Sequence, residues 1–143
     1  MAAEAERQIR KDRMAAKQAE LPWLSAPADG RLVPMADIPD PVFADGTMGE
    51  CFGILPSNGN VYSPVTGTVI DIAQTGHAIT LRAENGREIL VHVGINTVKL
   101  GCKAFTHHVV IGEQIKKDQL IMEANLDMIK NAGLSTMIIV IAL

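Results

Sequence analysis

Two histidines on neighbouring apolar segments are the residues of this sequence with the clearest potential for chemistry. His92 lies inside an otherwise apolar run, and His77 begins a second apolar segment. Asn85 and Gly86 stand between the two segments, and this dipeptide is a strong signal for a β-hairpin. Two imidazoles brought together by such a hairpin could hold a metal ion, relay a proton or carry a phosphoryl group on nitrogen.

The turn also predicts a register for the two strands. A two-residue type I′ turn at Asn85-Gly86 pairs Ile79 with His92 and His77 with Gly94. Because side chains alternate between faces, the imidazoles become diagonal neighbours, with Cα atoms roughly 7–8 Å apart. A register shift of one residue would separate them. The predicted common face consists of His77, Ile79, Leu81, Leu90 and His92.

Two further residues favour a functional pair. Thr75 offers a hydroxyl close to His77, and Gly94 leaves open space opposite that imidazole. The other two histidines, His107 and His108, lie in a loop-like segment, and we expect both at the surface.

The elements that would position these residues are mostly strands. Short apolar segments separated by Gly, Pro, Asn and Asp predict an all-β, antiparallel sandwich or barrel-like domain over residues 21–143. A short helix is predicted at 126–133, ending at Gly133. Residues 1–20 are rich in helix formers without an apolar stripe, which indicates a helical leader or linker. The candidate strands are 30–35, 49–56, 60–64, 67–73, 77–83, 87–93, 120–124 and 136–143.

Composition restricts the class of protein. The chain has 143 residues, is 48% apolar and only 3% aromatic, so one domain with an aliphatic core is expected. The formal net charge of −3 lacks the basic footprint that nucleic-acid binding requires. No run suggests a membrane span or a secretory signal, and two cysteines without CxxC spacing suit reduced structural thiols. We therefore expect a cytoplasmic protein.

Residues 75–100, TGHAITLRAENGREILVHVGINTVKL, resemble the signature of a known family. They are similar to the glucose-family enzyme IIA domain of the bacterial phosphoenolpyruvate-dependent sugar phosphotransferase system. Segments 37–49, 60–69 and 109–133 support the match, which covers roughly residues 25–143 in the family's order. The resemblance implies an antiparallel β-sandwich of the duplicated hybrid motif type, with one or two short helices.

The resemblance also implies an activity and the residues that perform it. Such a domain accepts a phosphoryl group from the histidine carrier protein HPr and passes it to a cysteine of the IIB domain. His92 matches the phosphorylated histidine, attacking through Nε2, and His77 matches the second histidine, which stabilises the phosphoryl group. Thr75 matches the residue whose hydroxyl supports His77. The carbonyl of Gly94 matches the acceptor that fixes the tautomer of His92.

The family comparison further implies a docking surface and the small-molecule requirements. An apolar rim would exclude water, and Asp40 matches an acidic residue that meets a basic residue of HPr. No cofactor is required beyond covalent phosphate, although zinc could bind His77 and His92 where a partner supplies a carboxylate. The implied partner surface comprises Asp40, Val42, Phe43, Gly94, Ile95, Asn96 and Val98.

Several positions depart from the family pattern. Asn96 stands where the family usually has Asp, which would weaken HPr docking. Cys51, Cys102 and Ala104 replace glycines, a change that disfavours positive φ, whereas Asp118 replaces a turn glycine with a residue that tolerates it. The sequence also stops where the family usually continues through another short helix and a strand.

One alternative function stays open at this point. The domain could be a regulatory binding module that docks on transporters or metabolic enzymes without phosphoryl chemistry. A zinc hydrolase is disfavoured, because the HxxxD and HxH motifs of related zinc endopeptidases are absent.

Overall fold

The computed structural model describes residues 24–143, so the helical leader predicted for residues 1–20 lies outside the described residues. Two short α-helices, α1 (Pro41–Ala44) and α2 (Leu126–Asn131), and two 3₁₀ segments, η1 (Met35–Asp37) and η2 (Thr97–Ala104), join the strands. The strands of this range are β1 (Gly30–Val33), β2 (Glu50–Pro56), β3 (Asn60–Tyr62), β4 (Gly67–Ile72), β5 (Ala78–Ala83), β6 (Glu88–Ile95), β7 (Phe105–His107), β8 (Gln114–Ile115), β9 (Leu120–Ala124) and β10 (Ser135–Ala142).

The strands form two antiparallel sheets. One has seven strands in the order β1-β2-β10-β6-β5-β4-β8, and the other has three in the order β3-β9-β7. The predicted all-β sandwich class is therefore confirmed, as are all eight predicted strands. The prediction missed β7 and β8, which at three and two residues are too short to show an apolar alternation. None of the helices within residues 24–143 has the length and apolar character needed to cross a membrane.

The large sheet is apolar on both faces at its centre. One face of β6 and β10 contributes Ile89, Val91, Val93 and Ile138 to the main core. The opposite face of the sheet carries a second apolar cluster, because alternate residues of a strand point to opposite sides. That second cluster contains Val33, Ile38, Phe43, Cys51, Ile95, Met137, Ile139 and Ile141. His92 pairs with Ile139, so this is the face on which it lies.

The register predicted for the β5–β6 hairpin is wrong by one residue. The observed partners of Ile79 and His92 are Val91 and Ala78, respectively. Gly86 is the only residue of the loop with positive φ, at 85°, so the connection is not a type I′ turn. The backbone N–H of Ala83 donates to the carbonyl of Arg87, which closes a three-residue loop instead.

The predicted composition of the histidine face is also wrong, as a consequence of that register. Ile79 and Leu81 belong to the main core, whereas Leu90 packs against the second cluster on the other side of the sheet. The side chain of His92 shares its face with Leu90 and with its partner Ala78. Because the loop has three residues and not the predicted two, the side chains of β6 lie on the opposite face from the one predicted relative to β5.

The helix boundaries follow local sequence signals. Asp40 begins α1 by accepting a hydrogen bond from the backbone N–H of Val42 at 3.0 Å, and Pro41 follows it at the first helical position. Asn125 caps α2 in the same way. Gly133, with φ of 74°, ends the helix as predicted.

The residues expected to stand at glycine positions of the family adopt conformations suited to their side chains. Asp118 has a φ of 69°, as its position in a turn predicted. Cys51, Cys102 and Ala104 all avoid positive φ. Cys51, Cys102 and Ala104 therefore carry no left-handed backbone strain.

Candidate active site

The imidazoles of His77 and His92 lie against each other. Their ring centroids are 4.9 Å apart, and the ring planes meet edge to face at 78°. The expected juxtaposition is present although the expected register is not. His77 precedes the first residue of β5, so the alternation of that strand does not determine the side on which its ring lies.

A tight turn before β5 positions His77. The N–H of Gly76 donates to the carbonyl of Ala73 at 2.8 Å, and Gly76 has a φ of 80°. The hydroxyl of Thr75 lies 2.7 Å from Nδ1 of His77. The carbonyl of His77 accepts a hydrogen bond from Val93 at 2.7 Å, which ties the turn to β6. The ring of His77 is thus held both through its backbone and through one nitrogen.

The strand end around Gly94 positions His92. Nδ1 of His92 is buried and makes no hydrogen bond of standard geometry, yet the backbone of Gly94 lies near enough to stabilise a proton on this ring. Gly94 has a φ of 78°, and a Cβ there would lie 2.2 Å from Cγ2 of Thr97 and 2.9 Å from the carbonyl oxygen of Ser135. Only glycine fits this position. The burial of Nδ1 leaves Nε2 as the nitrogen available for reaction.

Both imidazoles favour the neutral state. Burial lowers the pKa of His92 below its usual value of 6.5, and the neighbouring His77 lowers it further. The backbone of Gly94 and the negative charge of Asp40 oppose this shift in part. Burial also lowers the pKa of His77. At neutral pH His92 therefore keeps the nitrogen lone pair that a nucleophile requires.

Phe43 forms one wall of the site. Its ring centroid is 5.4 Å from that of His92, with the planes tilted by 57°. Phe43 and Ile95 are both buried in the second apolar cluster, so they support the site from below more than they offer a surface. That they belong to a rim that meets a partner stays a prediction. The residues that do present apolar surface are Val42 and Val98, each about half exposed at 48% and 49%.

Two polar members of the expected partner surface have defined places. Asp40 caps α1 and acts electrostatically on His92. Asn96 is exposed and has a φ of 62°, a conformation that an Asn or Asp side chain tolerates. The two residues lie in different parts of the chain, Asp40 directly before α1 and Asn96 directly after β6.

His107 contacts the turn that carries His77, which the sequence did not reveal. It was expected at the surface, but it is half-buried, and its Nε2 lies 2.9 Å from the carbonyl oxygen of Gly76. The expectation for His108 was correct, since this residue is exposed and pairs with Glu123 at 2.8 Å. The contact of His107 joins residues 31 positions apart, and the local sequence contains no signal for it.

Cys51 also supports the site from below. Its buried thiol donates a hydrogen bond to the carbonyl of Phe43 at 3.2 Å. Cys102 is exposed. Of the two cysteines expected to be structural, only Cys51 is buried as a structural thiol would be.

The described residues do not contain a complete metal site. Among residues 24–143 there is no group of three or more His, Cys, Asp or Glu side chains that could hold a metal ion. His77 and His92 supply two ligands, whereas a zinc site takes about three from proteins. The donor set fits zinc only if a partner supplies another ligand.

Residues 23–143 match the family model of the phosphoenolpyruvate-dependent sugar phosphotransferase system, EIIA 1. The glucose-specific EIICBA component of Streptococcus pneumoniae is 45% identical over 114 residues, which are 80% of this chain and 16% of that protein. The glucose-specific EIIA component of Staphylococcus epidermidis is 47% identical over 106 residues, covering 74% of this chain. The chain spans 64% of that relative's length.

A solved structure shows the same architecture. The glucose permease IIA of Mycoplasma capricolum superposes with a TM-score of 0.79 at 26% sequence identity. The match covers 83% of this chain and 77% of that one. Because the family model matches all of the described residues, the chain belongs to the EIIA 1 family of the phosphoenolpyruvate-dependent sugar phosphotransferase system.

Proposed function

We propose that this domain is a phosphohistidine carrier that accepts a phosphoryl group from HPr on His92 and passes it to a cysteine of a IIB domain. The observation that carries the proposal is the state of His92, a neutral imidazole whose Nδ1 is buried and which lies against a second imidazole. The lone pair of Nε2 attacks phosphorus while the N–P bond of phosphorylated HPr breaks. In the second step the IIB thiolate attacks, so an S–P bond forms and the Nε2–P bond breaks.

His77 has a separate role in this proposal. If the hydroxyl of Thr75 donates to Nδ1 of His77, the proton of that neutral ring resides on Nε2. Nε2–H of His77 can then donate to the oxygens of a phosphoryl group on the neighbouring ring. Charge stabilisation and positioning are the main demands of phosphoryl transfer, and this arrangement meets both.

The surroundings suit a protein partner. Val42 and Val98 offer exposed apolar surface, while Asp40 adds a negative charge that suits a basic partner such as HPr. Asn96, neutral where the family has Asp, makes the docking of HPr weaker. In this proposal the domain acts in the cytoplasm, alone or joined to a permease, and transfer needs no cofactor beyond covalent phosphate. Zinc binds the histidine pair only with a carboxylate from a partner.

The test is intact mass after incubation with phosphoenolpyruvate, enzyme I and HPr. We expect an acid-labile gain of about 80 Da in the wild type, no gain in His92→Gln, and a retained gain in His77→Gln. The His77→Gln domain should then transfer its phosphoryl group to a IIB domain more slowly, because the stabilising donor is lost. His108→Gln, an exposed histidine outside the site, is the matched control and should behave as the wild type.

A regulatory module is the second candidate, and the neutral, exposed Asn96 favours it. The same experiment separates the two functions. A wild-type chain that is folded but gains no mass would contradict the carrier and favour docking on transporters or metabolic enzymes without phosphoryl transfer.

A further inference from the structure

The turn that carries Thr75 and His77 is braced by a residue of the other sheet. Gly76, between them, presents its carbonyl oxygen 2.9 Å from Nε2 of His107. The ring of His107 also packs on Gly76, since a Cβ at Gly76 would lie 3.0 Å from Cε1 of His107 and 3.4 Å from Cβ of Phe105. The turn and the strand β7 therefore touch without space for an additional methyl group.

The donor in this contact is unambiguous. A carbonyl oxygen only accepts, so Nε2 of His107 must carry the proton and donate it to Gly76. His107 is itself fixed, because it pairs in β7 with Met122 of β9, a fully buried residue. Through this hydrogen bond, the three-stranded sheet contacts the turn at Gly76, which precedes β5 and carries His77.

We propose that His107 is a positioning residue for His77, acting through the carbonyl of Gly76. This inference rests on the proposed carrier function, in which His77 donates to the phosphoryl group on His92. Without the bond from His107, the Thr75–His77 turn can shift relative to β6. The orientation of Nε2–H of His77 toward the oxygens of the transferring phosphoryl group is then lost. Small displacements of a catalytic donor slow transfer strongly.

The test compares His107→Leu, which removes the donor at similar volume, with His107→Gln, whose amide N–H can reach the same carbonyl. Each domain is first phosphorylated, and transfer to a purified glucose-specific IIB domain is then followed in a single turnover. We expect His107→Leu to be slower by about tenfold and His107→Gln to recover most of the rate. The ¹⁵N signals of the His77 ring should move toward a tautomer mixture in His107→Leu only.

A double-variant measurement shows whether His107 acts through His77. In a His77→Gln background, His107→Leu should add little further loss, since the residue it positions is already absent. His108→Leu, the exposed neighbour, is the control for strand β7 and should leave the transfer rate unchanged.

The outcomes separate this inference from the function on which it rests. If the wild type cannot be phosphorylated on His92, the carrier function itself is wrong. If the wild type transfers normally and His107→Leu matches it in rate and in His77 signals, the positioning role is wrong. Equal losses in His107→Leu and His107→Gln with unchanged His77 signals, or additive losses in the double variant, would also overturn it.

Discussion

At the scale of the residue, the proposed chemistry depends on two neutral imidazoles in close contact. Burial lowers the pKa of His92, and proximity to His77 lowers it further, because a proton on either ring repels a proton on the other. Asp40 and the backbone of Gly94 limit the shift. The balance keeps His92 neutral at neutral pH, as the proposed nucleophile requires, while a carboxylate acts on it electrostatically.

This balance predicts the effect of removing the charge of Asp40. In Asp40→Asn the helix cap is retained, because Asn is as good an N-cap as Asp, but the charge that raises the pKa of His92 is lost. We expect an NMR titration to place the pKa of His92 below 6.5 in the wild type and lower still in Asp40→Asn. Asp45→Asn is the matched control, and an equal shift there, or an upward shift in Asp40→Asn, would contradict the assignment.

At the scale of the element, the end of β6 must turn sharply at Gly94 to bury Nδ1 of His92. The left-handed conformation of Gly94 and the close approach of Thr97 and Ser135 leave no room for a side chain. Thr97 reinforces the turn, since its hydroxyl donates to the carbonyl of Val93. The same few residues thus end a strand and orient the reactive ring.

Gly94→Ala should therefore be costly to stability. We expect a loss of about 3 kcal/mol in the free energy of unfolding, because positive φ and overlap with neighbouring atoms add together. Gly86→Ala provides the comparison: it has a similar φ of 85° but open space around it, so only about 1 kcal/mol should be lost. Chemical denaturation measures both values. Equal losses would show that the contacts with Thr97 and Ser135 do not matter.

At the scale of the whole molecule, the proposed function and the stability of the fold are linked through His92, which is half-buried. The large sheet holds His92 on the face that carries the second apolar cluster, and His107 of the small sheet contacts the turn of His77. A proton on His92 is disfavoured in the folded state and free to bind in the unfolded chain. Folding therefore competes with protonation of this ring.

The linkage predicts how stability depends on pH. Because the folded-state pKa of His92 lies below 6.5, its contribution is fully present above pH 6.5 and is lost as the pH falls through the folded-state pKa. Denaturation of the wild type between pH 7 and 5 should show a steeper loss than His92→Gln, which lacks the group. His108→Gln should keep the wild-type slope. Parallel curves for the wild type and His92→Gln would contradict the burial of a neutral ring.

The amino-acid sequence by itself determined the local features. Eight strands, the helix ending at Gly133 and the tolerance of Asp118 for positive φ all follow from neighbouring residues, so periodicity and turn chemistry were sufficient to predict them. The sequence also predicted that Thr75, His77 and His92 lie close together, and in the structure they do. Their roles stay a prediction.

The tertiary structure decided what depends on distant parts of the chain. The hairpin loop has three residues where local preference allows two, and this single difference changed the register and the face of each neighbour of His92. The burial of Phe43 and the contact of His107 with Gly76 arise where separate elements pack together. Such contacts cannot be predicted from neighbouring residues. Their free energy comes from burial and hydrogen bonding between segments that meet only in the folded chain.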